Sequence, residues 1–357
     1  MRAAPVIEQM KLSDKAAVLA FLQKAYPENP RQSDERFWNW HFPESPYCDP
    51  NDLPIWLAKT AYGRIAGQLA SVPVEFNVGD ETVPAIWILD MIVDPDFRRQ
   101  GIAKKLALAS MDFCPYVLGV NTPKQHAPKL LVSLGWKIFS KIPRYQKILF
   151  PGNAVRELAR IGPLRSIANA IGAPFRRGAK RGGVEIVDAF DPAFDELWHR
   201  ARRQWPCSIS RSAKMLDWQF RRQPDKKFDI LSYSVDGELR GYAVMFFRKP
   251  GASGVIEKAA ISDICYDPEN ADQTIDALLR AALNLAVERR VGSVVTDAID
   301  ERLQRSLKHH GFWSVKSDLQ LLASVPGNHE TVYDPANWYL TRGDSDISIF
   351  EAPNLEK

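Results

Sequence analysis

Apolar positions along the first 150 residues change between a helical and a strand period, and this pattern predicts one αβ unit. A helical period covers residues 14–25, with Ser13 as its expected N-cap. The other predicted elements follow in chain order: an aromatic segment at 37–42, a hairpin of 54–60 and 64–76, a central strand at 85–93, a helix at 101–113, a strand at 116–120, a helix at 127–134, and closing strands at 136–139 and 145–150.

The second half of the chain repeats this order. Four pairs of landmarks recur at offsets of 173 to 178 residues: Trp40 and Trp218, Gly67 and Gly241, Asp90 and Asp263, and Gly135 and Gly311. So many landmarks at a nearly constant offset indicate an internal duplication. The predicted fold class is α/β (α+β mixed sheet), with two tandem domains, each a twisted, mostly antiparallel sheet flanked by helices.

The duplication predicts the domain organisation: an N-terminal domain at 1–150, a basic linker at 151–183, a C-terminal domain at 184–327 and a tail at 328–357. The basic residues of the linker allow two interpretations, a peripheral contact with a membrane surface or a solvated connection. We favour the solvated connection because prolines and glycine interrupt any long amphipathic helix there. The aromatic residues of the tail are expected to pack back onto a domain.

Composition narrows the class of protein. The chain has 357 residues, 45% of them hydrophobic and 25% charged, as in globular proteins with more than one core. A net charge of +4 is too small to indicate nucleic acid as a partner. The four cysteines are widely spaced, which argues against a disulfide framework or a zinc site. No signal peptide or membrane span is recognisable, so we expect a cytoplasmic protein.

The turn after the central strand has the composition of an anion-binding site. It reads Arg98-x-x-Gly101-x-Ala103 and runs directly into a predicted helix. Backbone N–H groups at a helix N-terminus point towards one spot, and the helix dipole adds positive potential there. Gly101 and Ala103 leave room for a pyrophosphate close to the backbone. In the second copy, the corresponding turn has lost this motif and carries acidic and polar residues instead.

This segment resembles motif A of the GNAT acyltransferases, and Asn121 with Leu134-Gly135-Trp136 resembles their motif B. The resemblance implies a tandem GNAT protein with a degenerate C-terminal domain, and acetyl-CoA as the co-substrate. It implies that backbone groups of the central strand hold the pantetheine arm and polarise the thioester. The implied cofactor-binding residues are Met91, Ile92, Val93, Arg98, Arg99, Gln100, Gly101, Ile102, Ala103, Lys104 and Asn121.

The catalytic residues are less clearly indicated. Many members of the family have a tyrosine after the leucine of motif B that protonates the leaving thiolate, but this chain has Leu131 there. Tyr116 and Tyr145 are the candidate substitutes. The general base could be Asp90, whose pKa burial would raise, or His126. Because the second copy keeps Asp263 without the cradle, Asp90 could instead be structural.

The aromatic segment offers candidates for an acceptor pocket. Trp38 and His41 have no equivalents in the second copy, so we expect them to face a ligand, whereas Trp40 is expected to pack in the core. No metal site is expected.

The sequence thus predicts direct transfer of an acetyl group, in a ternary complex, from acetyl-CoA to an amine or hydroxyl. The acceptor would be a small metabolite, an amino sugar or a polysaccharide precursor. Two alternatives remain: an aminoacyl-tRNA-dependent transferase of the same fold, and a non-catalytic sensor that binds CoA or a metabolite.

Overall fold

A computed structural model describes residues 4–122, 127–155, 161–171, 183–250, 254–327 and 330–344. The chain divides into two compact units. Unit 1 comprises Met1–Lys141 and Asp318–Asn337, and unit 2 comprises Ile142–Ser317 and Trp338–Lys357.

The strands are, in chain order, β1 (Val6–Gln9), β2 (Ile55–Lys59), β3 (Ile65–Val78), β4 (Glu81–Val93), β5 (Val117–Asn121), β6 (Lys137–Lys141), β7 (Arg144–Ile148), β8 (Val184–Val187), β9 (Cys207–Ile209), β10 (Phe228–Val235), β11 (Glu238–Phe247), β12 (Lys258–Tyr266), β13 (Ser293–Asp297), β14 (Trp313–Val315), β15 (Gln320–Ser324) and β16 (Trp338–Tyr339). The α-helices are α1 (Lys15–Ala25), α2 (Glu35–His41), α3 (Ile102–Phe113), α4 (Ala127–Ser133), α5 (Pro151–Ala154), α6 (Gly162–Ile171), α7 (Pro192–Ala201), α8 (Ala213–Leu216), α9 (Ala271–Glu288), α10 (Glu301–His309) and α11 (Glu330–Tyr333). A π-helical turn, Asp217–Arg221, continues α8. Short 3₁₀ turns lie at Leu12–Asp14, Pro30–Ser33, Pro95–Phe97, Arg202–Gln204, Pro335–Asn337 and Arg342–Asp344.

The sheet of unit 1 has the strand order β1-β2-β3-β4-β5-β15-β6. Only the β4–β5 pair in this series is parallel. Helix α3 buries Ile102, Leu106 and Ala107 in a core that also contains Trp56 and Trp136. This mixed sheet flanked by helices confirms the predicted fold class.

The sheet of unit 2 has the corresponding order β14-β7-β13-β12-β11-β10-β8, again with one parallel pair, β12–β13. Helix α9 packs its apolar face, including Leu278 and Leu279, into the core of this unit.

The two copies exchange their last strands. The segment predicted to close the first copy contains β7, which pairs with β13 and β14 in unit 2. Conversely, β15 from the second copy pairs with β5 and β6 in unit 1. The observed division therefore differs from the predicted boundaries at 150 and 327. The alternation of apolar residues identifies such strands but not the strands beside them. Neighbouring strands pair through backbone N–H and C=O groups, which are the same for every side chain.

The register of the central hairpin is the same in both units. Gly67 lies opposite Val93 in unit 1, and Gly241 lies opposite Tyr266 in unit 2. Both hairpins then have a β-bulge directly before the landmark aspartate. At Gly67 a Cβ would lie 3.0 Å from the Ile92 carbonyl oxygen and 3.2 Å from Ile102, so glycine allows α3 to approach the sheet. The landmark pairs of the duplication thus occupy equivalent positions.

Near the N-terminus, one local prediction is wrong, and one segment without a predicted secondary structure is defined. Asp14, not Ser13, occupies the N-cap position of α1, and its carboxylate accepts hydrogen bonds from Lys59 at 2.8 Å. The aromatic segment is helical, because Asp34 caps α2 by accepting from the Phe37 N–H.

The described parts of the basic linker contain two short helices, α5 and α6, and most residues of α6 are exposed. The Asn169 side chain accepts a hydrogen bond from the Gly152 N–H at 2.8 Å and donates one to Asn153 at 3.0 Å, which joins α6 to α5. Much of the basic charge lies at 156–160 and 172–182, outside the described residues. In the tail, Trp338 and Tyr339 are buried as predicted, while residues 345–357 lie outside the description.

All four cysteines are free thiols. Among the described helices, none is long and apolar enough to cross a membrane.

Candidate active site

The parallel strands of unit 1 separate at their carboxyl ends. Pairing between β4 and β5 runs from Ile86 opposite Val117 to Ile88 opposite Gly119, and it stops there although β4 continues to Val93. A bulge at Leu89 marks the point of separation. Beyond it, the described residues pair β4 with β3 and β5 with β15. The opening between the two strands can admit an extended ligand arm that pairs with exposed backbone groups.

The predicted anion cradle lies directly after this opening. Helix α3 begins at Ile102, and its N-cap Gly101 has φ +75°. Arg99 also has a positive φ, +62°, so two residues of the turn before the helix adopt the left-handed backbone conformation. Within the part of the chain that the structure describes, no hydrogen bond is donated by the backbone N–H groups from Arg99 to Lys104. Donors of this kind at a helix N-terminus can bind an anion such as a pyrophosphate.

The cradle is held at its start by Asp94. This buried carboxylate caps the 3₁₀ turn through the Asp96 N–H and accepts hydrogen bonds from Arg64 at 2.7 Å and Lys24 at 3.2 Å. Burial tends to raise the pKa of Asp94, but the hydrogen bonds from Arg64, the turn and Lys24 outweigh it and lower the pKa below the usual value. The turn is therefore fixed by a charged clamp.

The predicted cofactor-binding residues are brought together around this opening. Met91 and Val93 pack against the core under α3, so alternation along β4 turns Asp90 and Ile92 to the opposite face of the sheet. Arg98 is exposed, and its Nε donates to the Val93 carbonyl at 3.3 Å.

The other cofactor-binding candidates differ in exposure. Gln100 and Lys104 are exposed in the turn and the first helical turn, Ala103 is half-buried, and Ile102 is buried. Asn121 ends β5, where its side-chain oxygen accepts from the Thr122 N–H at 2.9 Å. In the described part of the chain its amide nitrogen donates no hydrogen bond, so this nitrogen can donate to a ligand.

Asp90 is the ionisable group of the separated part of β4. The residue is half-buried, its Oδ1 accepts a hydrogen bond of 2.5 Å from the Tyr26 hydroxyl, and its Oδ2 is enclosed without a hydrogen-bond partner among the described residues. Burial raises the pKa of Asp90 to about 6, although the Tyr26 hydrogen bond acts in the opposite direction. A carboxylate with this pKa can accept a proton near neutral pH.

The two predicted catalytic tyrosines lie on other elements than Asp90. Tyr116 lies at the amino end of β5, where its carbonyl accepts from the Ile86 N–H, four residues or about 13 Å along β4 from Asp90. Tyr145 belongs to the core of unit 2 and donates its hydroxyl to Gln304 at 2.9 Å. His126 lies outside the described residues. Tyr116 is therefore at the opposite end of its strand from the opening, and Tyr145 belongs to the other unit.

The predicted acceptor residues are buried instead of exposed. Trp38 and His41 have 1% and 0% of their surface exposed, and the His41 ring packs between Trp40 and Phe42. Burial and the charge of Arg31 lower the pKa of His41 to about 3, so its ring is neutral. Both side chains therefore belong to the core, because the buried residues of helix α2 include all of its aromatic side chains.

The landmark aspartate of unit 2 has a different environment from Asp90. Asp263 is buried and paired with Arg211 at 3.2 Å, and it accepts hydrogen bonds of 2.7 Å from Tyr242 and Thr341. Helices α8 and α2 occupy corresponding places in the two copies. Arg211 directly precedes the N-cap of α8, but the residue that directly precedes the N-cap of α2 is Ser33, so unit 1 has no arginine at this position. Asp263 is thus a structural carboxylate, and its presence is no argument against a catalytic role for Asp90.

The turn of unit 2 is shorter as well as different in sequence. Helix α9 begins four residues after Asp267, whereas α3 begins eight residues after Asp94, and Asn270 replaces Gly101 at the N-cap. Four residues of the cradle are therefore missing, and the first turn carries Asp272.

The chain's own C-terminal segment fills the opening between β12 and β13. Pairing of these strands stops at Ala260 opposite Val295. Beyond that point, Thr341 bonds to Asp263 and forms a β-bridge with Ala298, while Arg342 donates to Asp297 at 2.7 Å. The space that corresponds to the ligand opening of unit 1 is thus occupied by protein.

Replacing Arg211 by methionine should destabilise unit 2 strongly. Arg211 is 3% exposed and pairs with both Asp263 and Asp344, so its loss leaves two buried carboxylates uncompensated. Breaking such a network costs about 3–5 kcal/mol in the free energy of unfolding, which denaturant titration measures. Arg305→Met is the matched control, because its ion pair with Glu301 is exposed and long, 3.8 Å. Equal stability of the two variants would contradict this account.

Sequence reasoning missed three functional features: Tyr26, the Arg64 clamp and the C-terminal segment in unit 2. No local pattern marks Tyr26 as a partner of Asp90, which lies 64 positions further along the chain. For Arg64, the sequence did hold a signal. Arg64 follows the Tyr62-Gly63 turn directly before β3, and the start of β3 pairs with the end of β4, next to Asp94.

A splayed parallel strand pair followed by an anion cradle at a helix N-terminus is the arrangement of a GNAT fold. Residues 6–139 match the family model of the acetyltransferase (GNAT) domain. No curated protein sequence gives a significant match to the chain.

Solved structures of similar fold cover both units. N-myristoyltransferase of Saccharomyces cerevisiae with bound myristoyl-CoA is 12% identical, with a TM-score of 0.61 over 90% of this chain and 84% of that chain. A GCN5-related N-acetyltransferase from Anabaena variabilis is 14% identical, with a TM-score of 0.59 over 89% and 72% of the two chains. A probable N-acyltransferase from Enterococcus faecalis is 13% identical, with a TM-score of 0.61 over 90% and 72%.

Residues 6–139 therefore match a GNAT domain, and the chain as a whole has the fold of the three structures named above. Among the described residues, no group of three or more histidine, cysteine, aspartate or glutamate side chains could hold a metal ion.

Proposed function

We propose that the protein transfers an acetyl group from acetyl-CoA to an amine or hydroxyl of a small metabolite, amino sugar or polysaccharide precursor. The observation that carries this proposal is the combination, in unit 1, of the unpaired cradle N–H groups, the separated β4–β5 strands and the enclosed carboxylate of Asp90. The first two fit the pyrophosphate and pantetheine parts of a CoA ester. The third fits a base for the acceptor.

The proposed reaction is direct attack in a ternary complex. The acceptor nitrogen or oxygen attacks the thioester carbonyl and gives its proton to Oδ2 of Asp90, while the carbon–sulfur bond breaks and CoA leaves as the thiolate. Backbone N–H groups of Met91–Val93 are the candidate donors for the oxygen that gains negative charge, a contribution that can reach a few kcal/mol. A thiolate is a fair leaving group without a tyrosine acid.

The proposal specifies a short acyl group. A series of acyl-CoA esters of increasing length tests this point. Acetyl-CoA should react fastest, and a preference for long chains would contradict the acetyl assignment.

Calorimetric titration with acetyl-CoA should show one binding site per chain. The reason is that unit 1 has a cradle, whereas unit 2 has a shortened turn and an opening filled by residues 340–343. A stoichiometry of two would contradict the one-site prediction, and no binding at millimolar ligand would contradict the proposed function.

Thiol release across a panel of amines, amino sugars and hydroxyl compounds should then identify the acceptor. Tight binding of acetyl-CoA with only slow, acceptor-independent hydrolysis would favour the sensor alternative. Leu131 in place of the usual tyrosine and the position of Tyr116 at the amino end of β5 support that alternative. Salt-dependent binding of tRNA would favour the aminoacyl-tRNA alternative.

A further inference from the structure

Tyr26 contacts the proposed base from a different element of unit 1. It follows α1 directly as the C-cap residue, and its half-buried side chain reaches Asp90 on β4. The distance from its hydroxyl to Oδ1 of Asp90 is 2.5 Å. A hydroxyl that donates to a carboxylate occupies one of its two oxygens and restricts its rotation.

We propose that Tyr26 is a positioning residue that holds Oδ1 of Asp90, so that Oδ2 is the oxygen that receives the acceptor's proton. This inference rests on the proposed base role of Asp90. Tyr26 keeps its own proton throughout, because the proton from the acceptor goes to Oδ2, which is enclosed and has no hydrogen-bond partner in the described part of the chain.

Tyr26 also adjusts the proton affinity of Asp90. Two features of its surroundings set the pKa of Asp90. Burial among α1, β3 and β4 raises the pKa, and the hydrogen bond from Tyr26 lowers it. The charges at the end of β4 are paired among themselves, since Asp94 binds both Arg64 and Lys24. Because the hydroxyl stabilises the ionised carboxylate, its removal should raise the pKa of Asp90 above about 6.

The test is Tyr26→Phe in the full chain, with the carboxyl titration of Asp90 followed by NMR of ¹³C-labelled aspartate and assigned by comparison with Asp90→Asn. The titration midpoint should move upward by about one pH unit, as expected for the loss of one charged hydrogen bond. With acetyl-CoA and a reactive acceptor from the panel, the acidic limb of kcat/KM should move by the same amount. The Kd for acetyl-CoA should not change.

The matched control is Tyr62→Phe, because Tyr62 is 99% exposed in the β2–β3 turn. It should leave the titration of Asp90 and the rate profile unchanged. An unchanged midpoint in Tyr26→Phe, or a rate loss equal at every pH, would overturn the inference about Tyr26 while leaving Asp90 as the base. Full activity of Asp90→Asn would instead overturn the proposed base, and the NMR titration would still report separately on Tyr26.

Discussion

Replacing Gly101 by glutamate should weaken acetyl-CoA binding by about 100-fold or more. Gly101 has φ +75°, a conformation that costs an L-residue about 1–2 kcal/mol, and it precedes N–H groups that have no acceptor in the described chain. The new carboxylate would compete for these donors and repel the pyrophosphate. The backbone strain and the charge repulsion together account for a 100-fold loss of affinity, since each 1.4 kcal/mol of binding free energy changes the affinity about tenfold.

Calorimetry with acetyl-CoA and with free CoA should give the same loss, because the cradle would bind the part that both ligands share. Gly79→Glu is the matched control: Gly79 also has a positive φ, +61°, and an added Cβ there meets no atom within 4 Å. It lies in the β3–β4 turn, at the opposite end of β4 from the cradle. Unchanged binding in Gly101→Glu would place the CoA site elsewhere.

Asp90→Asn should lower kcat/KM by about 10²- to 10⁴-fold, the usual contribution of a general base. The base is active only when ionised, so the wild-type rate should rise with pH through about 6, the pKa of Asp90. The variant should lack this acidic limb. Its affinity for acetyl-CoA should be unchanged, because the proposed phosphate contacts come from the turn and α3.

Thermal unfolding separates this effect from misfolding. Asp90→Asn should not lower Tm, since burial disfavours the charged carboxylate that the amide replaces. Asp112→Asn, on the exposed face of α3, should retain wild-type rates. A wild-type rate and pH profile in Asp90→Asn would exclude Asp90 as the base.

Local elements were the most predictable part of the molecule. The strand, turn and helix from Glu81–Val93 to Ile102–Phe113 follow from apolar periodicity, the Asp94-Pro95 turn and a glycine at the helix start. The duplication was also recognisable in the sequence. Both copies need a glycine at the point where a helix packs closely on the central hairpin, and these glycines are Gly67 and Gly241. Such features depend on neighbours within a few residues or on a repeated pattern.

Predictions about side-chain surroundings fared differently. Trp38 and His41 were expected at a ligand but lie in the core, because periodicity does not distinguish an aromatic face turned to the interior from one turned to a pocket. Asp90 and Asp263 look equivalent in sequence. Only the structure shows that Arg211 pairs with Asp263, while the Tyr26 hydroxyl donates a hydrogen bond to Asp90.

The sequence by itself determined the duplicated αβ pattern, the anion cradle in the first copy and the resemblance to the GNAT acyltransferases, because these are written in local spacing. The tertiary structure decided which strands complete each sheet, which tyrosine meets Asp90 and what fills the opening of unit 2. Those contacts join residues far apart in the chain, such as Gln320 with Asn121 and Thr341 with Asp263. Backbone pairing and packing select such partners only once the whole fold exists.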